Sequence, residues 1–207
     1  MAELTHLEVS MWINKLNLNF KDALIPLGFS CISFFHQIKV NEPLLRTATE
    51  FNGVELWPTL EEFSAIIGER NFGAIILPTL KEDLSNLAHQ LLRVPLPMSK
   101  RWCKSNKLNA IMIFKYFSMM DVTLTRAKHS QHPNAFCLCI LAWFFLVHET
   151  PRVDFGILHV VKNLRSKSPI AIILAETLNG LDAVCREEAT FFAGSPLLLQ
   201  VWSLIFS

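Results

Sequence analysis

The sequence predicts a mainly α protein, an irregular multi-helix domain with at most a short β-hairpin. Three observations predict this class: apolar residues recur at three- and four-residue spacing, helix caps precede those segments, and alternating stretches are scarce. Hydrophobic residues make up 51% of the 207 positions, which is enough for a large core. We therefore expect a single domain over 1–207, in which the N-terminal segment 1–39 carries the weakest pattern.

The segment 58–68, PTLEEFSAIIG, carries a complete helix signal. Thr59 is expected to be the N-cap, and Glu62 three positions later completes a capping box, in which each side chain bonds the other residue's backbone N–H. Gly68 suits the position after the last turn because glycine adopts positive φ without strain. The buried stripe of this helix is predicted to comprise Leu60, Phe63, Ile66 and Ile67.

The segment 78–92, PTLKEDLSNLAHQLL, has the same pattern. Thr79 is expected to cap this helix, with Glu82 as its capping-box partner. The predicted stripe comprises Leu80, Leu84, Leu87 and Leu91. No third copy occurs in the sequence, so a repeat solenoid is not expected.

Caps and prolines indicate further helices in both halves of the chain. The predicted starts are Pro43 for 44–51, Asp154 for 155–166, Ser168 and Pro169 for 170–192, and Ser195 with Pro196 for 197–206. Short strands are expected within 53–56 and 72–77.

The longest predicted helix, 170–192, has an apolar face interrupted by one glycine. Gly180 is expected to weaken the middle of this helix by about 1 kcal/mol relative to alanine. The face predicted to be buried comprises Ile170, Leu174, Leu178, Leu181, Cys185 and Phe192.

The most hydrophobic stretch, AFCLCILAWFFLV at 135–147, raises the question of a membrane span. It has 13 residues, whereas a spanning helix needs about 20. A helix that is hydrophobic on all sides is typical of a protein core. We therefore expect a buried helix here and no membrane span.

Charge and cysteine content suggest an intracellular protein with no overall preference for polyanions. The chain has 19 basic and 18 acidic residues, for a net charge of +1. Its five cysteines form no framework spacing, which indicates reduced thiols. The N-terminus has no basic region followed by an apolar run, so no signal peptide is expected.

Two kinds of reactive site are compatible with the residue types, a zinc site and a thiol nucleophile. His129, His132, Cys137 and Cys139 could form a zinc site, but cysteines two apart on a helix point in different directions. Two thiol–imidazole pairs, Cys31 with His36 and Cys103 with His89, have no local catalytic signature. We therefore expect no metal, no cofactor and no enzymatic activity.

Two further functional hypotheses remain open. One is an enzyme with a cleft near Cys103 or near His148 and Glu149. The other is a nucleic-acid module that follows a short linker at 93–100 and uses the basic strip 100–107, KRWCKSNK. In the strip, cations would contact phosphates and the tryptophan ring would stack on a base. The strip residues predicted to bind nucleic acid are Lys100, Arg101, Trp102, Lys104 and Lys107.

Four stretches of the sequence resemble a plant-specific family. They are VNEPLLRTATEF (40–51), FNGVELWPTLEEFSAIIGE (51–69), the segment 146–184, and CREEATFFAGSPLLLQVW (185–202). Their most specific parts are ELWPTLEEF and AIILAETL. Together they resemble the transposon-derived plant mobile domain, also called the aminotransferase-like plant mobile domain, a plant domain of unknown function.

This resemblance implies a mainly helical domain of retroelement-related and host genes. Host members are described as nuclear proteins tied to silencing and meristem maintenance. The family pattern has an aromatic stretch before FNGVEL and continues past LLQVW. The resemblance thus predicts a fragment whose apolar surface is covered by a protein partner or by the missing C-terminal part. The function expected is a non-enzymatic, nuclear protein-interaction scaffold.

Overall fold

The computed structural model describes residues 11, 50–51, 54–55, 57–68, 74–76, 83–118, 132–150, 152–154 and 156–206. Within them the chain is mainly helical, with a three-stranded antiparallel sheet and two short strand pairs, which confirms the predicted class. The predictions for Cys31, His36 and His129, for the capping roles of Thr79 and Glu82, and for residues 44–49 of the helix after Pro43 concern residues outside the described ranges. The last two residues of that predicted helix, Glu50 and Phe51, are in a strand, which corrects its end.

The described residues form eight α-helices, one π-helical run and seven short strands. In chain order they are β1 (Glu50–Phe51), β2 (Val54–Glu55), α1 (Leu60–Ile67), β3 (Ala74–Ile75), α2 (Leu84–Leu92), α3 (Leu96–Trp102), β4 (Cys103–Lys104), β5 (Lys107–Asn109), α4 (Ala110–Ser118), α5 (His132–Ile140), a π-helical run (Leu141–Phe145), β6 (Arg152–Asp154), α6 (Gly156–Asn163), β7 (Lys167–Ser168), α7 (Ile170–Cys185) and α8 (Pro196–Phe206).

Helix α1 has the predicted capping box. The Thr59 side chain accepts the Glu62 N–H at 3.2 Å, and the Glu62 carboxylate accepts the Thr59 N–H at 2.8 Å. Gly68 ends the helix at φ 82°. The same carboxylate also accepts the Trp202 indole N–H at 2.9 Å, so the cap of α1 is bonded to α8.

The capping bonds also affect the acidity of Glu62. The Thr59 backbone N–H is the main cause of a Glu62 pKa below its usual 4.5, desolvation opposes it, and the Trp202 N–H lowers it further. Because the folded-state pKa is depressed, this stabilisation is present above pH 4.5. It is lost as the pH falls through the folded-state value.

Helix α2 begins later than the sequence pattern predicts. Its N-cap is Asp83, whose carboxylate accepts the Ser85 N–H at 2.9 Å. Asp83 has extended backbone angles, so the helix cannot continue back from Leu84 through this residue. A start at Thr79 is therefore corrected to a start at Leu84.

The hydrophobic stretch 135–147 forms the centre of the core. Helix α5 packs against α2, α4 and α6, and residues 135–141 are fully buried. No described helix is both long and apolar enough to cross a membrane. The prediction of a buried core helix is confirmed, with the addition that the helix continues as a π-helical run.

Strands β4, β5 and β6 form the three-stranded sheet. Ser105 and Asn106 make its first turn at φ 53° and 56°. Both residues have the positive φ that the tightest hairpin turns require. Leu108 and Val153 are buried on the inner face, and the outer face carries Lys104, Lys107, Asn109, Arg152 and Asp154.

Helix α7 is shorter than predicted and buries a different face. It ends at Cys185, and Glu187 then adopts φ 60°. Ala193 and Gly194 then pack against the helix, and the small residues Thr177 and Gly180 are buried beneath them. The predicted face is corrected: Leu174 and Leu178 are half-buried, Cys185 is exposed, and the buried residues are Ile170, Ile173, Thr177, Gly180 and Leu181.

We expect Thr59→Ala to destabilise the protein by about 1 kcal/mol, because the Glu62 N–H loses its capping acceptor. Urea unfolding followed by circular dichroism measures this change. Thr59→Ser keeps the hydroxyl and should stay close to the parent protein. Equal stability of the alanine and serine variants would contradict the capping role.

Candidate functional site

A cavity of about 500 Å³ lies between the sheet, the loop after the π-helical run, α6 and α7. We call it the His148 cavity. It is lined by Lys107, Leu146, His148, Glu149, Thr150, Arg152, Val153, Asp154, Gly156, Ile157, Val160, Ile172 and Glu176.

The lining of the His148 cavity combines aliphatic groups with charges of both signs. The aliphatic residues are Leu146, Val153, Ile157, Val160 and Ile172. Positive charges come from the sheet, and negative charges come from the loop, β6 and α7. One carboxylate, that of Asp154, already accepts the Gly156 N–H at 2.8 Å and caps α6, as the sequence predicts.

The π-helical run determines where the loop that carries His148 leaves the core. The run ends with the Leu146 N–H bonded to the Leu141 carbonyl at 2.6 Å. The next residue, Val147, exchanges two backbone hydrogen bonds with Gly194, at 2.8 and 3.1 Å. The backbone immediately before His148 is therefore held by hydrogen bonds at Leu146 and at Val147. The His148 side chain lines the cavity and is half-buried.

A buried set of hydrogen bonds, which we call the Ser195 cluster, joins this loop to α7 and α8. The Ser195 hydroxyl donates to the Phe144 carbonyl at 2.8 Å and accepts the Leu198 N–H at 3.3 Å. The Thr177 hydroxyl accepts the Ser195 N–H at 3.0 Å and donates to the Ile173 carbonyl at 2.6 Å. Ser195 thus caps α8, as the sequence predicts, and also connects three elements.

Two glycines allow the backbone to come this close to α7. A Cβ atom on Gly180 would lie 1.9 Å from the Ala193 carbonyl oxygen. Gly194 has φ 106°, and a Cβ atom there would lie 2.5 Å from the Thr177 Cα. Neither position has room for a side chain.

The basic strip is accessible except for its aromatic residue. Lys100 and Arg101 lie in the last turn of α3, which corrects the predicted linker at 93–100, and Lys104 and Lys107 pair across the hairpin. All four cations are exposed. Trp102 is only 4% exposed, so its ring cannot stack on a base.

The tryptophan is enclosed by aromatic side chains of α4. Its ring centroid lies 5.5 Å from that of Tyr116, in an edge-to-face arrangement, and 6.4 Å from that of Phe117. Trp102 therefore anchors the strip to the core instead of presenting a contact to a partner.

Sequence reasoning missed one cation of this surface, Arg152. The register pairs Asn109 with Arg152 and Lys107 with Asp154, so these residues share the outer face of the sheet with Lys104. The sequence signal for this strand is the alternation of polar and apolar residues over 152–154. Three residues are too few to establish a two-residue period.

Three of the cysteines that are candidate nucleophiles or ligands are described: Cys103 is half-buried beside Ser85 and Asp83, whereas Cys137 and Cys139 are fully buried in the core. Burial raises the pKa of Cys103 to about 11 and also raises the pKa of Cys137 and Cys139. The His89 ring bonds the Val94 carbonyl through Nδ1. In the described part of the chain, no group of three or more His, Cys, Asp or Glu residues could hold a metal ion.

No protein-family model, curated protein or solved structure matches the chain.

We expect Ser195→Ala to lower the free energy of unfolding by about 1–3 kcal/mol, because the buried Leu198 N–H and Phe144 carbonyl lose a partner. Denaturant unfolding measures this change. Ser203→Ala is the matched control, since that buried hydroxyl bonds only the Gln200 carbonyl one turn earlier. The control should cost about 0.5 kcal/mol. Equal losses would contradict a connecting role for Ser195.

Proposed function

We propose that this chain is a non-enzymatic protein-interaction scaffold of the plant mobile domain type, a nuclear protein that acts in silencing or meristem maintenance. The biological setting rests on the sequence resemblance described above. The interaction role is supported by one structural observation, an exposed apolar end of α8.

The apolar end of α8 comprises Leu204, Ile205 and Phe206, which are 68%, 60% and 42% exposed. The first turns of the same helix are buried, and Trp202 bonds the Glu62 carboxylate. The helix is thus fixed at its start, and its last turn projects three consecutive apolar side chains. Successive residues of a helix point about 100° apart, so these three side chains surround the last turn and do not form one flat face. Single exposed apolar residues are common on protein surfaces, whereas an apolar turn of this kind is a surface that a partner could enclose.

The composition of α8 indicates what kind of partner would bind. Its sequence, PLLLQVWSLIF, contains no charged residue. Contact would therefore be made by apolar burial and not by ion pairs, so the partner would be a protein with an apolar face. Trp57, 42% exposed and two residues before the cap of α1, is a further large apolar side chain outside the core.

The non-enzymatic part of the proposal is supported by one thiol, that of Cys103, near which an active-site cleft is one of the alternatives. Catalytic cysteines react as thiolates, and their pKa values are lowered by nearby positive charge. Burial has the opposite effect on Cys103, whose pKa is about 11. This thiol is therefore protonated at neutral pH.

Photo-crosslinking in plant cells tests the scaffold proposal. With a benzophenone side chain at Ile205, we expect a covalent adduct to a defined protein, and Leu204→Glu should reduce the adduct by about tenfold because it places a charge in an apolar contact. Met112→Glu is the matched control, since Met112 is an apolar residue of a different helix, α4, and is 40% exposed. No adduct, or equal loss in both variants, would contradict the proposal.

A second candidate function is favoured by the outer face of the sheet. Lys104, Lys107 and Arg152 lie on it, and Lys100 and Arg101 precede it directly. Five exposed cations within four adjoining elements could contact phosphates of a nucleic acid. The buried Trp102 limits this function to backbone contacts without base stacking.

Fluorescence anisotropy with a DNA duplex, between about 50 and 200 mM salt, tests this second candidate. If the strip binds DNA, affinity should fall steeply with salt, and the double variant Arg101→Glu/Lys104→Glu should bind about tenfold or more weakly with a shallower salt slope. Arg165→Glu, an exposed cation outside the strip, is the control. The same slope in all three proteins, or no binding, would contradict this function.

A further inference from the structure

We propose that the His148 cavity binds a small zwitterion with an aliphatic body, such as a dipeptide of apolar residues. This proposal concerns a different part of the molecule from the apolar end of α8. It does not depend on the scaffold function.

The size and floor of the cavity suit such a ligand. Small-molecule sites usually enclose about 300–1,000 Å³ and are mostly apolar with a few polar groups. The His148 cavity measures about 500 Å³. Val153, Ile157 and Val160 are almost fully buried beneath it, so an aliphatic group placed there would be removed from water.

The charged side chains around the apolar part of the cavity indicate a ligand that carries one positive and one negative group. Asp154 is already bonded to the Gly156 N–H. The two cations of the lining, Lys107 and Arg152, belong to the sheet. The other two carboxylates, those of Glu149 and Glu176, belong to the loop and to α7.

These four side chains are available to a ligand. None of them forms an ion pair with another described residue. A purely anionic ligand would meet three carboxylates, since Asp154 keeps its charge, and a purely cationic ligand would meet two cations, each at an electrostatic cost. A zwitterion can satisfy both pairs at once.

One residue of each sign is best suited to hold the ligand. Arg152 presents a planar guanidinium, which can bind a carboxylate through two parallel hydrogen bonds. Glu176 is half-buried on α7, next to Thr177 of the Ser195 cluster, whereas Glu149 is exposed. Solvent screens the charge of Glu176 less, so it is the stronger site for an ammonium group.

The support for the cavity is rigid on two sides. Val147 is bonded to Gly194 immediately before His148, and the Thr177 hydroxyl bonds Ser195 immediately after Glu176. A ligand would therefore meet groups whose backbones are already fixed, which reduces the entropy lost on binding.

Calorimetric titration of the full chain with three probes tests this proposal. The probes are leucyl-leucine, its N-acetyl derivative and its C-terminal amide, which differ only in the charged ends. We expect the zwitterion to bind about tenfold or more tightly than either derivative, because each derivative lacks one charge-assisted contact. No binding of leucyl-leucine at about 10 mM, or equal binding of all three probes, would overturn the proposal.

Two variants assign the ends of the ligand. Glu176→Gln should remove the preference for the free amine, and Arg152→Gln should remove the preference for the free carboxylate. Glu188→Gln and Arg165→Gln change exposed residues outside the cavity and should retain both preferences. Unchanged preferences in the two cavity variants would place the ligand elsewhere and overturn the assignment. Because the three probes are compared on the parent protein, a variant that fails to fold leaves the test intact.

Discussion

The close approach of residues 193–195 to α7 is the constraint on which the rest of the structure depends. Gly180 and Gly194 leave no room for a side chain between the two backbones, and the Thr177 hydroxyl bonds the Ser195 N–H in the space that remains. Ser195 then bonds the end of the π-helical run at Phe144 and the first turn of α8. One short segment thus determines how three elements meet in the core.

The positions of the His148 cavity and of the apolar end of α8 both follow from this contact. The bridge between Val147 and Gly194 directs the loop that carries His148 to the cavity, and Glu176 faces the cavity from the same turn of α7 that holds Ser195. The contact also sets the start of α8, because Ser195 is its cap. A helix whose first turns are fixed in this way can present an apolar last turn to a partner without its own fold changing.

Local features of the fold could be predicted from the sequence, whereas the features that build the site could not. The capping box of Thr59 and Glu62 acts over three residues, so its pattern is visible in the sequence. The bond from Trp202 to Glu62 joins residues 140 positions apart and leaves no periodic signal. Helix propensity predicts that Gly180 is a weak point of α7, because propensity takes no account of a backbone packed against the helix.

Substitution of Gly180 by alanine tests this constraint most directly. In an ordinary helix interior, alanine stabilises relative to glycine by up to about 1 kcal/mol. Here the added Cβ would lie 1.9 Å from the Ala193 carbonyl oxygen, so we predict a loss of about 1–3 kcal/mol in the free energy of unfolding. Asn179→Ala, the exposed neighbour on the same helix, should show no such loss. A Gly180→Ala protein as stable as the parent, or more stable, would contradict the close approach.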